Sequence, residues 1–114
     1  MAGYPDPKPA RRLRLPRREL AALHQRVVWG KPCRVCGGPA TGMHHVLPRG
    51  QGGDDVLENC VGLCGDGVLG CHGRVEARDR QVRALLRHSL LPAEVTYVVG
   101  KTSLGWLDAN YPEA

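Results

Sequence analysis

Aromatic residues are scarce in this chain of 114 residues, which has no phenylalanine, two tryptophans and three tyrosines. Large aromatic side chains supply much of the buried apolar area of small domains, so a core built from this sequence must be thin. Fifteen glycines and nine prolines place much of the backbone in turns and loops. A small domain with a thin core usually needs a staple, which is a disulfide, a metal ion or a partner.

Long apolar stretches are also missing from the sequence. No segment approaches the roughly 18 apolar residues of a membrane span, and the N-terminus has no apolar run of signal-peptide length. We therefore expect no membrane association and a location in the reducing cytoplasm. Clustered cysteines in that compartment are metal ligands more often than disulfides, and an odd total of five fits a closed disulfide framework poorly.

Positive charge is concentrated at the N-terminus. Residues 1–31 contain eight basic and two acidic residues, whereas the rest of the chain contains eight basic and nine acidic residues. A basic arm on a near-neutral body is typical of a protein that approaches a polyanion such as nucleic acid. The alternative is a solvated tail that serves only solubility. The candidate phosphate contacts are Arg11, Arg12, Arg14, Arg17, Arg18 and Arg49, although Arg49 can equally be a simple loop cation.

Periodicity predicts the first half of the fold. Residues 1–16 are expected to form a basic flexible arm. Apolar residues at positions 20, 23, 27 and 28 share one helix face, which predicts a helix over residues 17–29. A short strand is expected within residues 41–47 and a second one within residues 54–62. The segment between them is a loop by composition.

Beyond the second strand, a helix is predicted to open near Cys71 and to run to about residue 89, with a break near Asp79. Residues 94–100 alternate weakly, which predicts a strand. The tail is expected to dock Trp106 and Tyr111 on the domain. These elements define a main domain over residues 17–91, with its core at about 31–89, and a C-terminal strand and tail over residues 92–114.

The cysteines predict a structural zinc site. Cys33 and Cys36 form a Cys-x-x-Cys pair, and Cys64 and Cys71 supply a second pair about 30 residues later. Four thiolates from two turns make a closed tetrahedral site, and metal binding then contributes directly to folding. The second pair has six intervening residues instead of two, and its glycines can let the loop bulge outward. Cys60 is a rival for the place of Cys64, and buried free thiols or a redox pair are further alternatives.

Histidines interleave with these cysteines in a specific order. The sequence has the pair His44-His45, then Asn59, then His72 directly after Cys71. Over about residues 31–76, this order resembles the HNH endonuclease family, and within it the zinc-containing type frequent in phages and prophages.

The resemblance implies a small α+β fold, namely a ββα-metal (His-Me finger) domain with flanking helices and a single catalytic metal ion. Carried over to this sequence, His45 is the general base, and His44 and His72 are metal ligands. Asn59 holds the backbone that positions His45. The ion is Mg²⁺, Mn²⁺, Ni²⁺ or Zn²⁺. Glu76, one helical turn after His72, can be a third ligand, although a solvent-facing acid is the alternative that we prefer from sequence.

The chemistry of these residue types supports the same division of roles. Imidazole titrates near neutrality and therefore suits a general base, and a divalent ion stabilises charge on a phosphate and its leaving oxygen. Neighbouring residues of an extended chain point to opposite sides, so His44 and His45 suit two different roles. Neighbouring residues of a helix diverge by about 100°, so Cys71 and His72 can serve two different metals.

The sequence therefore predicts a monomeric, metal-dependent DNA endonuclease that nicks or cuts with weak specificity. The resemblance also implies a terminase as a packaging partner and, for a phage gene, the host cytoplasm as the location. One competing interpretation is a non-catalytic zinc-ribbon DNA-binding module. Another is a phage assembly protein that uses the nuclease fold as a scaffold.

Overall fold

The computed structural model describes residues 13–113, which contain five α-helices and two β-strands. The strands are β1 (Gly42–His45) and β2 (Cys60–Leu63), and two short 3₁₀ turns lie between them at Arg49–Gln51 and Leu57–Asn59. The helices are α1 (Arg17–Val28), α2 (Gly70–Glu76), α3 (Arg80–Ser89), α4 (Pro92–Lys101) and α5 (Leu104–Asn110). The predicted small α+β class is confirmed. None of the helices within residues 13–113 has the length and apolar character needed to cross a membrane.

The two strands form an antiparallel hairpin in which His44 lies opposite Val61 and His45 opposite Cys60. Because successive side chains of a strand alternate between faces, His44 turns into the protein and is buried, whereas His45 turns toward the loop that joins the strands. The helix α2 follows β2 and completes a ββα unit that carries both histidines and His72.

The break between α2 and α3 occurs where the sequence predicts it. Arg78 has a positive φ of 62°, a conformation that ends a helix for a residue with a side chain. The Asp79 carboxylate then accepts a hydrogen bond from the Val82 amide, 3.1 Å away, and caps the N-terminus of α3. This turn directs α3 back across the ββα unit.

Two apolar clusters form the core. The smaller one lies between α1 and the hairpin and includes Val27, Val28 and Cys60. The larger one joins β2 to the four other helices. Its fully buried members include Val46, Leu63, Val75, Leu86, Val98, Leu107 and Tyr111.

The predicted strand over residues 94–100 is wrong, because this segment is the helix α4. Its β-branched residues favour a strand locally, but the N-terminus of the segment is built for a helix. Pro92 occupies the first turn, and the Glu94 carboxylate accepts a hydrogen bond from the Leu91 amide at 2.8 Å. The side chain of Val98 is then buried in the larger cluster, so tertiary packing stabilises the helix.

The N-terminal arm joins the body earlier than residue 16. The amide of Leu15 donates to Asp55 Oδ2 at 2.9 Å, and the amide of Leu13 donates to Asp54. The guanidinium of Arg14 donates to the carbonyls of Gly53 and Arg49 at 2.8 and 2.7 Å. Residues 13–15 are therefore bound to the loop after β1 rather than part of a free arm. The predicted contacts Arg11 and Arg12 lie outside the described residues.

Candidate active site and metal centres

The four cysteines named from the sequence come together. One sulfur from each of Cys33, Cys36, Cys64 and Cys71 lies within 4.8 Å of the others. Cys36 Sγ and Cys64 Sγ are 3.7 Å apart. Two sulfurs bound to one zinc ion at about 2.3 Å with tetrahedral angles are about 3.8 Å apart. The spacing therefore fits a structural zinc ion.

Backbone amides lie within hydrogen-bonding distance of three of the four sulfurs. The amides of Val35, Gly38 and Cys71 point at Cys33 Sγ, Cys36 Sγ and Cys64 Sγ respectively, each at 3.4 Å. Burial raises the pKa of Cys33, but hydrogen bonds to backbone amides outweigh it and lower the pKa to about 7. A partly ionised cysteine at neutral pH is ready to bind a metal ion.

The long interval between Cys64 and Cys71 folds into a closed loop. Gly65 has a φ of 84°, and a Cβ there would lie 2.1 Å from the carbonyl oxygen of Leu69, so only glycine fits this turn. Asp66 Oδ1 accepts hydrogen bonds from the amides of Val68 and Leu69 at 2.8 and 2.7 Å. The loop therefore bulges outward, as predicted, and returns Cys71 to the sulfur cluster.

Cys60 takes no part in the sulfur cluster. Its side chain is buried beside α1, and burial raises its pKa to about 12. A thiol in that state is a packing residue rather than a metal ligand, so Cys64 is the better candidate for the fourth ligand.

A second group of metal-ligand atoms consists of His44, His72 and Glu76, which lie within 4.8 Å of one another. His44 Nδ1 is 2.9 Å from Glu76 Oε2, and His72 Nε2 is 3.5 Å from the same oxygen. Glu76 is thus not simply a solvent-facing acid, because β1 and α2 bring both imidazoles to its carboxylate. Two imidazole nitrogens and one carboxylate oxygen fit Zn²⁺, Ni²⁺ or Mn²⁺ better than Mg²⁺, which prefers oxygen ligands.

The electrostatics of this second group suit a bound cation. The hydrogen bond with His44 is the main reason why the pKa of Glu76 falls to about 2, so the carboxylate is ionised. Burial lowers the pKa of His44 and favours the neutral imidazole, the form that binds metals. The ring of His72 is packed tightly. Its Nδ1 is buried without a hydrogen-bond partner among the described residues, and a Cβ at position 42 would lie 2.8 Å from that atom.

His45 belongs to a separate hydrogen-bonded group. Its Nε2 lies 2.9 Å from Oδ1 of Asp55, a fully buried carboxylate that also accepts from Arg49 at 3.0 Å and from the Leu15 amide. Burial raises the pKa of Asp55, but the hydrogen bonds from Leu15 and His45 and the charge of Arg49 outweigh it and keep the pKa below its usual value. Asp55 is therefore an acceptor, and His45 Nε2 is the donor.

Asn59 is fully buried and ties the loop after β1 to the start of β2. Its Oδ1 accepts from the Leu47 amide at 2.8 Å, and its Nδ2 donates to the carbonyls of Leu47 and Asp54 at 3.0 and 3.1 Å. These bonds hold the backbone two residues after His45 and one residue before Asp55. Asn59 can therefore fix the distance between His45 and its carboxylate partner.

Members of both histidine groups line one cleft of about 240 Å³. Its wall includes His44, His45 and Glu76 together with Arg49 and Arg83. Arg83 is largely buried. Its guanidinium donates to the carbonyls of Val75 and Asn110 at 2.9 Å each. The cleft therefore combines a base-type histidine, a candidate metal group and two guanidinium groups.

Asp55, Arg83 and Tyr111 belong to this site but were missed from the sequence. Asp55 stands four residues before Asn59, and the adjacent Asp54-Asp55 pair was the one signal available for it. Arg83 and Tyr111 come from α3 and the end of α5, and their approach depends on the packing of helices. Of the other predicted arginines, Arg17 and Arg18 are exposed on the first turn of α1.

Comparison with known families gives one finding. Residues 33–78 match the model of the HNH endonuclease family. No curated protein and no solved structure matches the chain. The matched segment begins at the first cysteine of the sulfur cluster and includes β1, β2 and α2. It therefore contains the four predicted catalytic-site residues His44, His45, Asn59 and His72. Residues 33–78 of this chain are therefore similar to the HNH endonuclease family.

Proposed function

We propose that the protein is a metal-dependent endonuclease that hydrolyses phosphodiester bonds of DNA. One observation carries the proposal. His45, which is paired with Asp55, lines the same cleft as His44 and Glu76, two members of the candidate metal group. Phosphodiester hydrolysis needs a base for the attacking water and positive charge beside the phosphate and leaving oxygen. The cleft offers both within one small surface.

His45 is the proposed general base. Because Asp55 accepts the Nε2–H of His45, the neutral ring has its lone pair on Nδ1. Nδ1 takes a proton from water as the water oxygen forms a bond to phosphorus. The bond from phosphorus to the 3′ oxygen breaks, and that oxygen acquires a proton from solvent. The products carry a 5′-phosphate and a 3′-hydroxyl.

His44, His72 and Glu76 are the proposed ligands of the catalytic ion. A divalent ion bound there would stabilise negative charge on the phosphate and on the leaving oxygen. Arg83, held by two backbone carbonyls, and Arg49, paired with Asp55, are placed at the cleft to contact the phosphate. Asn59 holds the backbone next to His45 and Asp55 and so keeps the two side chains at hydrogen-bonding distance. The four cysteines hold a structural Zn²⁺ at the start of α2.

A plasmid assay tests this function. Zinc-loaded protein is incubated with supercoiled DNA and with Mn²⁺, Ni²⁺, Zn²⁺ or Mg²⁺ in turn. We expect cleavage by the wild type and a loss of about 10²- to 10⁴-fold in rate for His45→Ala, because general-base catalysis contributes about that much. His88→Ala is the matched control, since His88 is exposed on α3 and does not line the cleft.

Two results would contradict the proposal. Equal cleavage by the wild type and by His45→Ala would remove His45 from the mechanism. DNA binding without cleavage in every metal would instead favour a non-catalytic zinc-ribbon module or an assembly role. Metal analysis gives an independent check, because the nuclease should hold one tight zinc and one exchangeable divalent ion per chain, whereas a zinc ribbon holds only the first.

The N-terminal arm is proposed to bind the DNA backbone without reading sequence. Its deletion should stop at residue 12, because Leu13 and Leu15 bind Asp54 and Asp55 next to the proposed base. Residues 1–12 contain Lys8, Arg11 and Arg12. Their removal should weaken DNA binding and reduce the slope of log Kd against log salt by up to about 3. Fluorescence anisotropy over a salt series measures this slope, and an unchanged slope would show that the arm does not contact phosphate.

The proposed contacts to DNA are with its phosphates. Phosphate-directed contacts give affinity without base choice, so nicking or weakly specific cutting by a monomer is the proposed outcome. The terminase partner and the phage setting stay predictions that rest on the family resemblance.

A further inference from the structure

Tyr111 closes a hydrogen-bond chain behind one of the proposed metal ligands. It lies at the end of α5, outside the segment matched by the family model, and it is 1% exposed. Its hydroxyl oxygen is 3.0 Å from the carbonyl oxygen of Val46 and 2.8 Å from His44 Nε2. A tyrosine hydroxyl, with an ordinary pKa of about 10, keeps its proton at neutral pH.

The donors and acceptors of this chain can be assigned. A carbonyl oxygen only accepts, so the single hydroxyl proton of Tyr111 is donated to Val46. The hydroxyl oxygen must then accept from His44, which puts the imidazole proton on Nε2. An imidazole that binds a metal ion is neutral, so with Nε2 protonated its lone pair lies on Nδ1, the nitrogen that faces Glu76 Oε2 at 2.9 Å.

Two acceptor atoms at 2.9 Å repel each other unless a proton or a cation lies between them. His44 Nδ1 and Glu76 Oε2 are such a pair, and a cation bound there would take the place of the proton that their hydrogen bond requires. We propose that Tyr111 is a positioning residue that holds His44 in the Nε2–H tautomer, so that Nδ1 is the atom that binds the divalent ion. This inference rests on the metal centre of the proposed function. It adds that a residue of the C-terminal helix sets the geometry and tautomer of a ligand on β1.

The ring of Tyr111 also contacts a second residue, and the test substitution must preserve that contact. The guanidinium carbon of Arg83 lies 4.6 Å from the centroid of the Tyr111 ring. The substitution Tyr111→Phe removes the hydroxyl alone and keeps the ring, its burial and this cation–π contact. Tyr97→Phe is the matched control, because it also removes a hydrogen-bonded hydroxyl, here one bound to Asp54, away from the proposed metal ligands.

The first measurement is metal affinity. Zinc-loaded protein is titrated with Ni²⁺ in a calorimeter, and the melting temperature of each variant is recorded to confirm folding. Loss of a hydrogen-bonded partner behind a ligating histidine typically weakens metal binding about 10- to 100-fold. We expect that increase in Kd for Tyr111→Phe and no change for Tyr97→Phe. A lowered melting temperature with an unchanged Kd would mean that Tyr111 only packs the core, and the proposal would fall.

The second measurement needs no variant. Long-range ¹H–¹⁵N correlation spectra of the wild type, with Zn²⁺ in both sites, report which His44 nitrogen carries a proton. We expect a protonated Nε2 and a metal-bound Nδ1, whereas the opposite assignment would overturn the inference. These results separate two failures. If no second ion binds the wild type, the metal centre of the proposed function fails together with the inference. If an ion binds through Nε2, or binds equally well without the Tyr111 hydroxyl, only the inference fails.

Discussion

Removal of metal from the four-cysteine cluster is expected to unfold the protein. Apparent binding free energies for structural zinc are about 10–16 kcal/mol at neutral pH, whereas the whole free energy of unfolding of a small domain is about 5–15 kcal/mol. Cys33 is itself part of the larger core cluster. Ligands from two turns separated by about thirty residues therefore depend on one ion, and its loss removes most of the available stability.

Circular dichroism during titration with a strong chelator measures this effect. The same loss of structure is expected for Cys36→Ser, which removes one ligand from the exposed side of the cluster. Cys60→Ala is the control, because Cys60 is buried outside the cluster and its truncation should cost only about 1 kcal/mol. A cooperative melting transition that persists in metal-free protein would show that the apolar core is sufficient and that the cluster is not a structural zinc site.

The elements that the sequence predicts correctly have local signals. The helix α1 has an apolar stripe with Pro16 before it and Gly30 after it, and the break between α2 and α3 has Asp79 as a cap. The helix α4 has contrary local signals, because Val95, Thr96, Val98 and Val99 favour a strand. Its helical state depends on burial of Val98 against other elements, which periodicity over seven residues does not reveal.

The residues of the candidate site also differ in whether the sequence gives a local signal for them. The cysteines and the residues His44, His45, Asn59 and His72 stand in a recognisable order along the chain, so they can be named before the fold is known. Asp55 has only the adjacent Asp54-Asp55 pair as a signal until its carboxylate is seen beside His45. Tyr111 lies 67 residues from His44 in the chain, and only the return of α5 to the hairpin brings the two together. Asp55 and Tyr111 are therefore harder to predict than the residues that stand in a recognisable order along the chain.

Asp55→Asn is expected to reduce the rate of DNA cleavage by about 10²- to 10⁴-fold while the protein stays folded. The native carboxylate accepts from His45 on one oxygen and from Leu15 and Arg49 on the other. An asparagine offers one oxygen and one amide group. If its oxygen faces His45, its NH₂ group meets two other donors. If its oxygen faces Leu15 and Arg49, its NH₂ group donates to His45 Nε2 and moves the ring proton to Nδ1.

Both arrangements impair the proposed base, and the second one protonates the nitrogen that must receive the proton of water. Single-turnover cleavage at saturating DNA isolates the chemical step, and anisotropy shows whether DNA binding is kept. Glu58→Gln, an amide replacement of a carboxylate exposed in the same loop, is the control. We expect unchanged Ni²⁺ affinity for Asp55→Asn, because Asp55 contacts His45, Arg49 and Leu15 and not the ligand group. Cleavage at the wild-type rate would show that His45 acts without its carboxylate partner, and a loss of Ni²⁺ binding would show that the two histidine groups are not independent.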